Sequence, residues 1–126
     1  MLVSNLKVLV SDDSILVRKQ FTDILTSIGC TNIFYASNGK EAVNMYKEHM
    51  PDIAFMDIIM PEKTGVEALK EITDFNSEAK VIIASSAVTQ KYLKSAIEAG
   101  VYDFIQKPIC ADDVKKVINK LIKDGK

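Results

Sequence analysis

The sequence predicts an α/β fold in which a parallel sheet is covered by helices on both faces. Two observations carry that prediction. Five short runs of β-branched and aromatic residues alternate with five stretches of helical period, and the connections between them are short. The chain has 126 residues, and a domain takes roughly 100–200, so residues 1–126 are expected to form one domain. Apolar residues make up 48% and charged residues 26%, a globular balance that excludes disordered and collagen-like chains.

The elements follow in order. Lys7–Ser11 reads as a buried strand. From Ser14 to Ser27, Val17, Phe21, Ile24 and Leu25 fall at helical spacing, continued by Ile28, and Gly29 supplies a stop. Asn32–Ala36 is a weaker strand. Asn38, followed three positions later by Glu41, resembles a capping box, and its helix carries Ala42, Val43 and Tyr46 inward before stopping short of Pro51. Asp52–Met56 is the third strand. Gly65–Phe75 is a helix with Val66, Leu69 and Ile72 on one face. Lys80–Ala84 is the fourth strand, and Thr89–Ala99 a helix closed by Gly100. Val101–Ile105 is the fifth strand. Asp112–Lys123 is the last helix, with Val114, Val117, Ile118, Leu121 and Ile122 facing inward.

Several function classes drop out. Sixteen Lys+Arg against seventeen Asp+Glu leave a formal charge of −1, so the bulk positive field of a nucleic-acid binder is missing. Cys30 and Cys110 make neither a zinc site nor a disulfide framework, and read as buried or partly buried thiols in a reducing compartment. His49 is the one histidine, set at an expected helix end. No apolar run approaches the ~18 residues of a membrane span, and the opening residues have no signal-peptide pattern. A cytoplasmic protein that binds neither nucleic acid nor membrane is expected.

Open parallel sheets bind ligands beyond the carboxyl ends of their strands. The first strand ends in Asp12-Asp13, the third in Asp57, the fourth in Ser85-Ser86 and the fifth in Lys107-Pro108. Each alone has an ordinary explanation: a helix cap, a loop acid, loop hydroxyls, a surface charge. Together they put three acids at one sheet edge, where they repel and each resists ionising. A divalent cation relieves that conflict, and oxygen ligands with open water positions suit Mg²⁺.

These positions resemble the phosphoacceptor site of the receiver domains of two-component response regulators, of the single-domain chemotaxis-regulator type. Met56-Asp57-Ile58-Ile59-Met60-Pro61 with Gly65 is similar to that family's phosphorylation loop, and Gly100–Pro108 to its last strand. The resemblance spans essentially the whole chain. It implies a flavodoxin-like doubly wound sheet in the order 2-1-3-4-5 and a cis Lys107-Pro108 bond. It makes Asp57 the phosphoacceptor. It gives Mg²⁺ to Asp13, Asp57 and the backbone carbonyl of Ile59, with Asp12 acting mainly through metal-bound water. Lys107 pairs with a phosphoryl oxygen, Ser85 donates its hydroxyl to another, and Phe104 holds the aromatic switch position. Three departures stand out: Ser11 where an apolar residue is commoner, Ser85 for the commoner threonine, and Ser86 beside it where alanine is common. Ser85 has the family-like spacing to Lys107.

The implied function is a stand-alone, monomeric response regulator in chemotaxis-type signalling. Its partners are a sensor histidine kinase and an output protein on the face of the fourth helix, fifth strand and fifth helix. It is no enzyme beyond Mg²⁺-dependent self-phosphorylation and slow autodephosphorylation. A phosphorelay intermediate is the alternative within the family. An aspartyl-phosphate hydrolase would want a second acid where Ile59 stands, and a flavodoxin-like electron carrier a Ser/Thr/Gly-rich loop where Asp12-Asp13-Ser14-Ile15-Leu16 stands.

Overall fold

The computed structural model describes residues 3–86 and 90–124, without the side chains of residues 90 and 91. The five β-rich runs form strands β1 (Lys7–Ser11), β2 (Asn32–Ala36), β3 (Ile53–Met56), β4 (Val81–Ser85) and β5 (Asp103–Gln106). All neighbours pair in parallel, in the order β2-β1-β3-β4-β5. Between and after them run helices α1 (Ile15–Ile28), α2 (Gly39–His49), α3 (Gly65–Phe75), α4 (Gln90–Glu98) and α5 (Ala111–Asp124). The strand order reverses at β1, so the crevice of a doubly wound sheet opens beyond the ends of β1 and β3.

The three central strands are buried on both faces apart from Lys7, the exposed first residue of β1. That is why they read as continuous apolar runs rather than as alternations. Leu9, Met56 and Ile83 point to a core closed by Tyr46 of α2, Leu69 and Ile72 of α3 and Ala96 of α4. Val10, Phe55 and Ile82 point the other way, onto Phe21 and Leu25 of α1 and Val114, Ile118 and Leu121 of α5.

Helix ends carry the signals the sequence contains. Ser14 Oγ accepts from Val17 N, and Gly29 closes α1 at φ 110°, a conformation natural to glycine. Asn38 Oδ1 accepts from Glu41 N at 2.7 Å. The Glu41 carboxylate reaches past the cap to Ser37 N at 3.1 Å. A full capping box forms instead at Thr64 and Glu67.

Three expectations shift. On α3 the buried stripe is Ala68, Leu69 and Ile72, and Val66 is only half-buried, one step round the helix. β5 starts at Asp103 rather than Val101. Gly100 turns at φ 91° and Val101 N donates to Ala96 O, so Val101 is spent closing α4. Cys30 is buried, but Cys110 is exposed beside the start of α5, where its carbonyl accepts from Val114 N. The expected first residue of α4, Thr89, lies outside the described residues.

Candidate functional site

Main-chain pairing carries the acids to their places. The ladder continues beyond the strands: Asp12 N donates to Ala36 O and Asp57 N to Ser11 O, each at 3.0 Å. Carboxylate oxygens of Asp12, Asp13 and Asp57 consequently lie within 4.8 Å of one another. Asp12 is 2% exposed and Asp57 9%, while Asp13 opens to solvent.

Lys107 closes the site from β5. Its peptide bond to Pro108 is cis, and its amide donates to Ser85 O at 3.3 Å. Its Nζ lies 2.6 Å from Asp12 Oδ2 and 3.2 Å from Asp57 Oδ2. The remaining oxygens are also engaged: Asp12 Oδ1 accepts from Ser14 N at 2.9 Å, and Asp57 Oδ1 from Ile58 N at 2.8 Å. Two buried carboxylates therefore share one ammonium, a charge-assisted arrangement.

Burial pushes the Asp57 carboxyl above its usual value, and the Asp12 charge adds to the rise; the Lys107 ammonium only partly offsets them. Burial alone would pull Lys107 down, but the hydrogen bond to Asp12 and the charges of Asp12 and Asp57 outweigh it and raise the ammonium. Three acids against one ammonium leave surplus negative charge at a mouth that Asp13 keeps open. That donor set, all hard carboxylate oxygen with Asp13 open to solvent, fits Mg²⁺.

The flanking residues are carried by β4, β5 and the β3–α3 connection. Ser85 ends β4 and is 2% exposed, whereas Ser86 faces solvent. Phe104, half-buried, pairs across β4 with Ile83 and packs against the same core that Ile83 enters. Ser85 and Phe104 thus share one face of the sheet. Ile59 lies two residues past Asp57 in the β3–α3 connection and is 58% exposed. Gly65 packs so closely beneath that a Cβ there would sit 1.9 Å from the Asp57 carbonyl oxygen.

Sequence reasoning missed Arg18. Its Nη1 donates to the Asp12 carbonyl at 2.5 Å, tying the second turn of α1 to the acid pair. One signal was available: Arg18 is the chain's one arginine among sixteen basic residues. A planar multi-donor group is distinct from lysine where a carbonyl must be held.

Residues 8–119 match the family model of the response regulator receiver domain. The chemotaxis protein CheY of Bacillus subtilis is 43% identical over 116 residues, covering 92% of this chain and 97% of that protein. CheY of Thermotoga maritima is 43% identical over 117 residues, covering 93% and 98%. A chain in the crystal structure of the CheX–CheY–BeF3–Mg²⁺ complex from Borrelia burgdorferi superposes with a TM-score of 0.87. It is 35% identical, and the match covers 93% of this chain and 89% of that one.

Proposed function

The chain belongs to the response regulator receiver domain family, and from that premise we propose that Asp57 takes a phosphoryl group from the phosphohistidine of a sensor kinase. The observation that carries this reading is one carboxylate, Asp57, set between Lys107 and two further acids at the carboxyl edge of the sheet.

In the transfer, an Asp57 oxygen forms a bond to phosphorus as the phosphorus–nitrogen bond to histidine breaks. The electron pair of that bond returns to the imidazole, which takes a proton from water. The product on this chain is an acyl phosphate. Phosphoryl transfer asks the protein mainly to position groups and to neutralise charge. Asp13, Asp57 and the Ile59 carbonyl would hold Mg²⁺, with Asp12 acting through water, and the ion would supply most of that neutralisation. Lys107 stands 3.2 Å from Asp57 and turns from the carboxylates to a phosphoryl oxygen. Ser85 donates its hydroxyl to another. Ile59 cannot orient a hydrolytic water, so the acyl phosphate is long-lived and the chain acts as a signal carrier rather than a hydrolase. The Borrelia structure, which contains Mg²⁺, BeF3 and the protein CheX, supports both a Mg²⁺ site and a protein partner here. The process is chemotaxis-type signalling, in keeping with the CheY relatives.

The test is direct. Acetyl phosphate with Mg²⁺ adds one phosphoryl group to the intact protein, read by mass spectrometry. Chelating the metal or making Asp57→Asn prevents it. Equal labelling of the variant would falsify the assignment.

A further inference from the structure

The phosphoacceptor loop is pressed against a second helix. Gly39, the buried first residue of α2, lies so close to the β3–α3 connection that a Cβ there would sit 2.0 Å from the Lys63 carbonyl oxygen and 2.7 Å from its carbon. Both are backbone atoms, which cannot swing aside as a side-chain end does. The connection is held at other points too. Gly65 N donates to Ile58 O at 2.7 Å, and Lys63 N to Pro61 O at 2.7 Å. Met60 is buried in the core, and the Lys63 ammonium is paired with Glu71 of α3. Ile59 stands between these anchors with its side chain in solvent.

We infer that Gly39 is a positioning residue for the phosphoacceptor site: the bare Cα of α2 seats the Lys63 carbonyl and so sets where the Ile59 carbonyl, a candidate metal ligand, stands. The inference rests on the reading of Asp13, Asp57 and Ile59 as the Mg²⁺ ligands. Any side chain at 39 forces the two backbones apart. The buried Ala42, Val43 and Tyr46 lock α2 into the core, and the Gly65 end of the loop is fixed on Asp57. The displacement therefore falls on residues 59–62, where Ile59, Pro61 and Glu62 are exposed. Mg²⁺ tolerates little of it, because its ligands must stand near ideal octahedral positions at about 2.0–2.1 Å. Groups that orient metal ligands are typically worth roughly 10–100-fold in affinity.

Two variants test this. Gly39→Ala adds the clashing carbon without changing charge. Lys63→Gly keeps the carbonyl but frees the loop from Glu71 and gives it glycine's conformational range. Mg²⁺ affinity is measured by calorimetry, and amide hydrogen exchange is followed at residues 59–63 in the metal-free protein. Ile118→Val, in the core on the opposite face of the sheet, serves as a destabilised control. The expectation is about tenfold weaker Mg²⁺ binding in Gly39→Ala, faster exchange confined to the loop, and neither change in the control. Lys63→Gly should also weaken Mg²⁺ binding, whereas loss of a positive charge alone would tighten it; this variant carries the test if Gly39→Ala does not fold. Unchanged affinity and exchange in the folded variants, or equal losses in the control, overturn the inference. Absence of Mg²⁺ binding by the unaltered protein overturns the metal reading instead. Loop exchange in the metal-free protein then still decides whether Gly39 seats the loop.

Discussion

Ser11 is a hydroxyl in a place built for a hydrocarbon. It is 1% exposed, and its Oγ has no hydrogen-bond partner among the described residues. A buried hydroxyl without a partner costs about 1–3 kcal/mol. Ser11→Ala removes that cost at the loss of one small atom's packing, so stability should rise by about 1 kcal/mol, read as a higher urea midpoint with an unchanged slope. A lower midpoint would mean that the hydroxyl is satisfied in solution. At this scale the sequence was legible wherever residue type alone identifies the chemistry. Asp12, Asp13 and Asp57 are uncommon residues for the ends of buried strands, and the sheet gathers them with Lys107 at the end of the edge strand. Contacts made to backbone outside the helix caps were not legible. Arg18 meets a carbonyl and Gly39 meets a carbonyl, and every residue has one, so neither partner leaves a trace in the amino-acid letters.

Among the elements, β5 diverges most from its sequence reading, and the same segment yields a pH-dependent contact. Tyr102, outside the strand, bridges to the last turn of α5: its hydroxyl donates to the Asp124 carboxylate. Lys80 and Lys120 lie 5.0 and 4.6 Å from its ring centre. Burial, then the hydrogen bond to Asp124 and the charges of Asp124 and Asp103, push the phenol up from 10.0 to about 12. The folded state thus holds this proton more tightly than the unfolded chain. The stabilisation is fully present below pH 10 and is lost as pH rises through about 12. Tyr102→Phe should cost roughly 0.5–1.5 kcal/mol near neutrality, as a single hydrogen bond does. The gap from the unaltered protein should close between pH 10 and 12. Denaturation curves of both proteins across that range check it; a constant gap would mean that the ring's packing, not its proton, carries the contribution. Alternation and glycine signals could not place the start of β5, because Val101 and Tyr102 are as β-prone as the residues that follow. What moves the boundary is the hydrogen bond from Val101 back to α4.

On the scale of the whole molecule, the alternation of five strands and five helices was readable from periodicity. The strand order came from resemblance, since periodicity does not say which strands are neighbours. The order matters for output, because it places β5 and its helices at one edge, reached from Asp57 across β4. Ser85 and Phe104 are on one face there, and Phe104 lines a groove of about 290 Å³ with Gln106, Asp113, Lys116 and Val117. If phosphate draws the Ser85 hydroxyl toward Asp57, room opens for the Phe104 ring to turn inward. The groove then shifts between two packings whose populations phosphorylation changes. Lys116 and Asp113 line it, Lys115 and Asp112 stand next to them in α5, and Lys94 and Glu98 lie on α4. The lysines, all exposed, suit an acidic helix or peptide, and such association weakens as salt screens it. Phe104→Ala leaves every group around Asp57 in place, so acetyl phosphate should label it as before. With the ring gone there is nothing to carry the change outward, and the phosphorylation-dependent gain in partner affinity should disappear. Basal affinity and its decline with salt should remain, because they come from the lysines. Titrating both proteins with an acidic partner helix, with and without phosphodonor and at two ionic strengths, separates the two contributions. A full-sized gain in Phe104→Ala would make the ring a core residue and place the switch elsewhere on this edge.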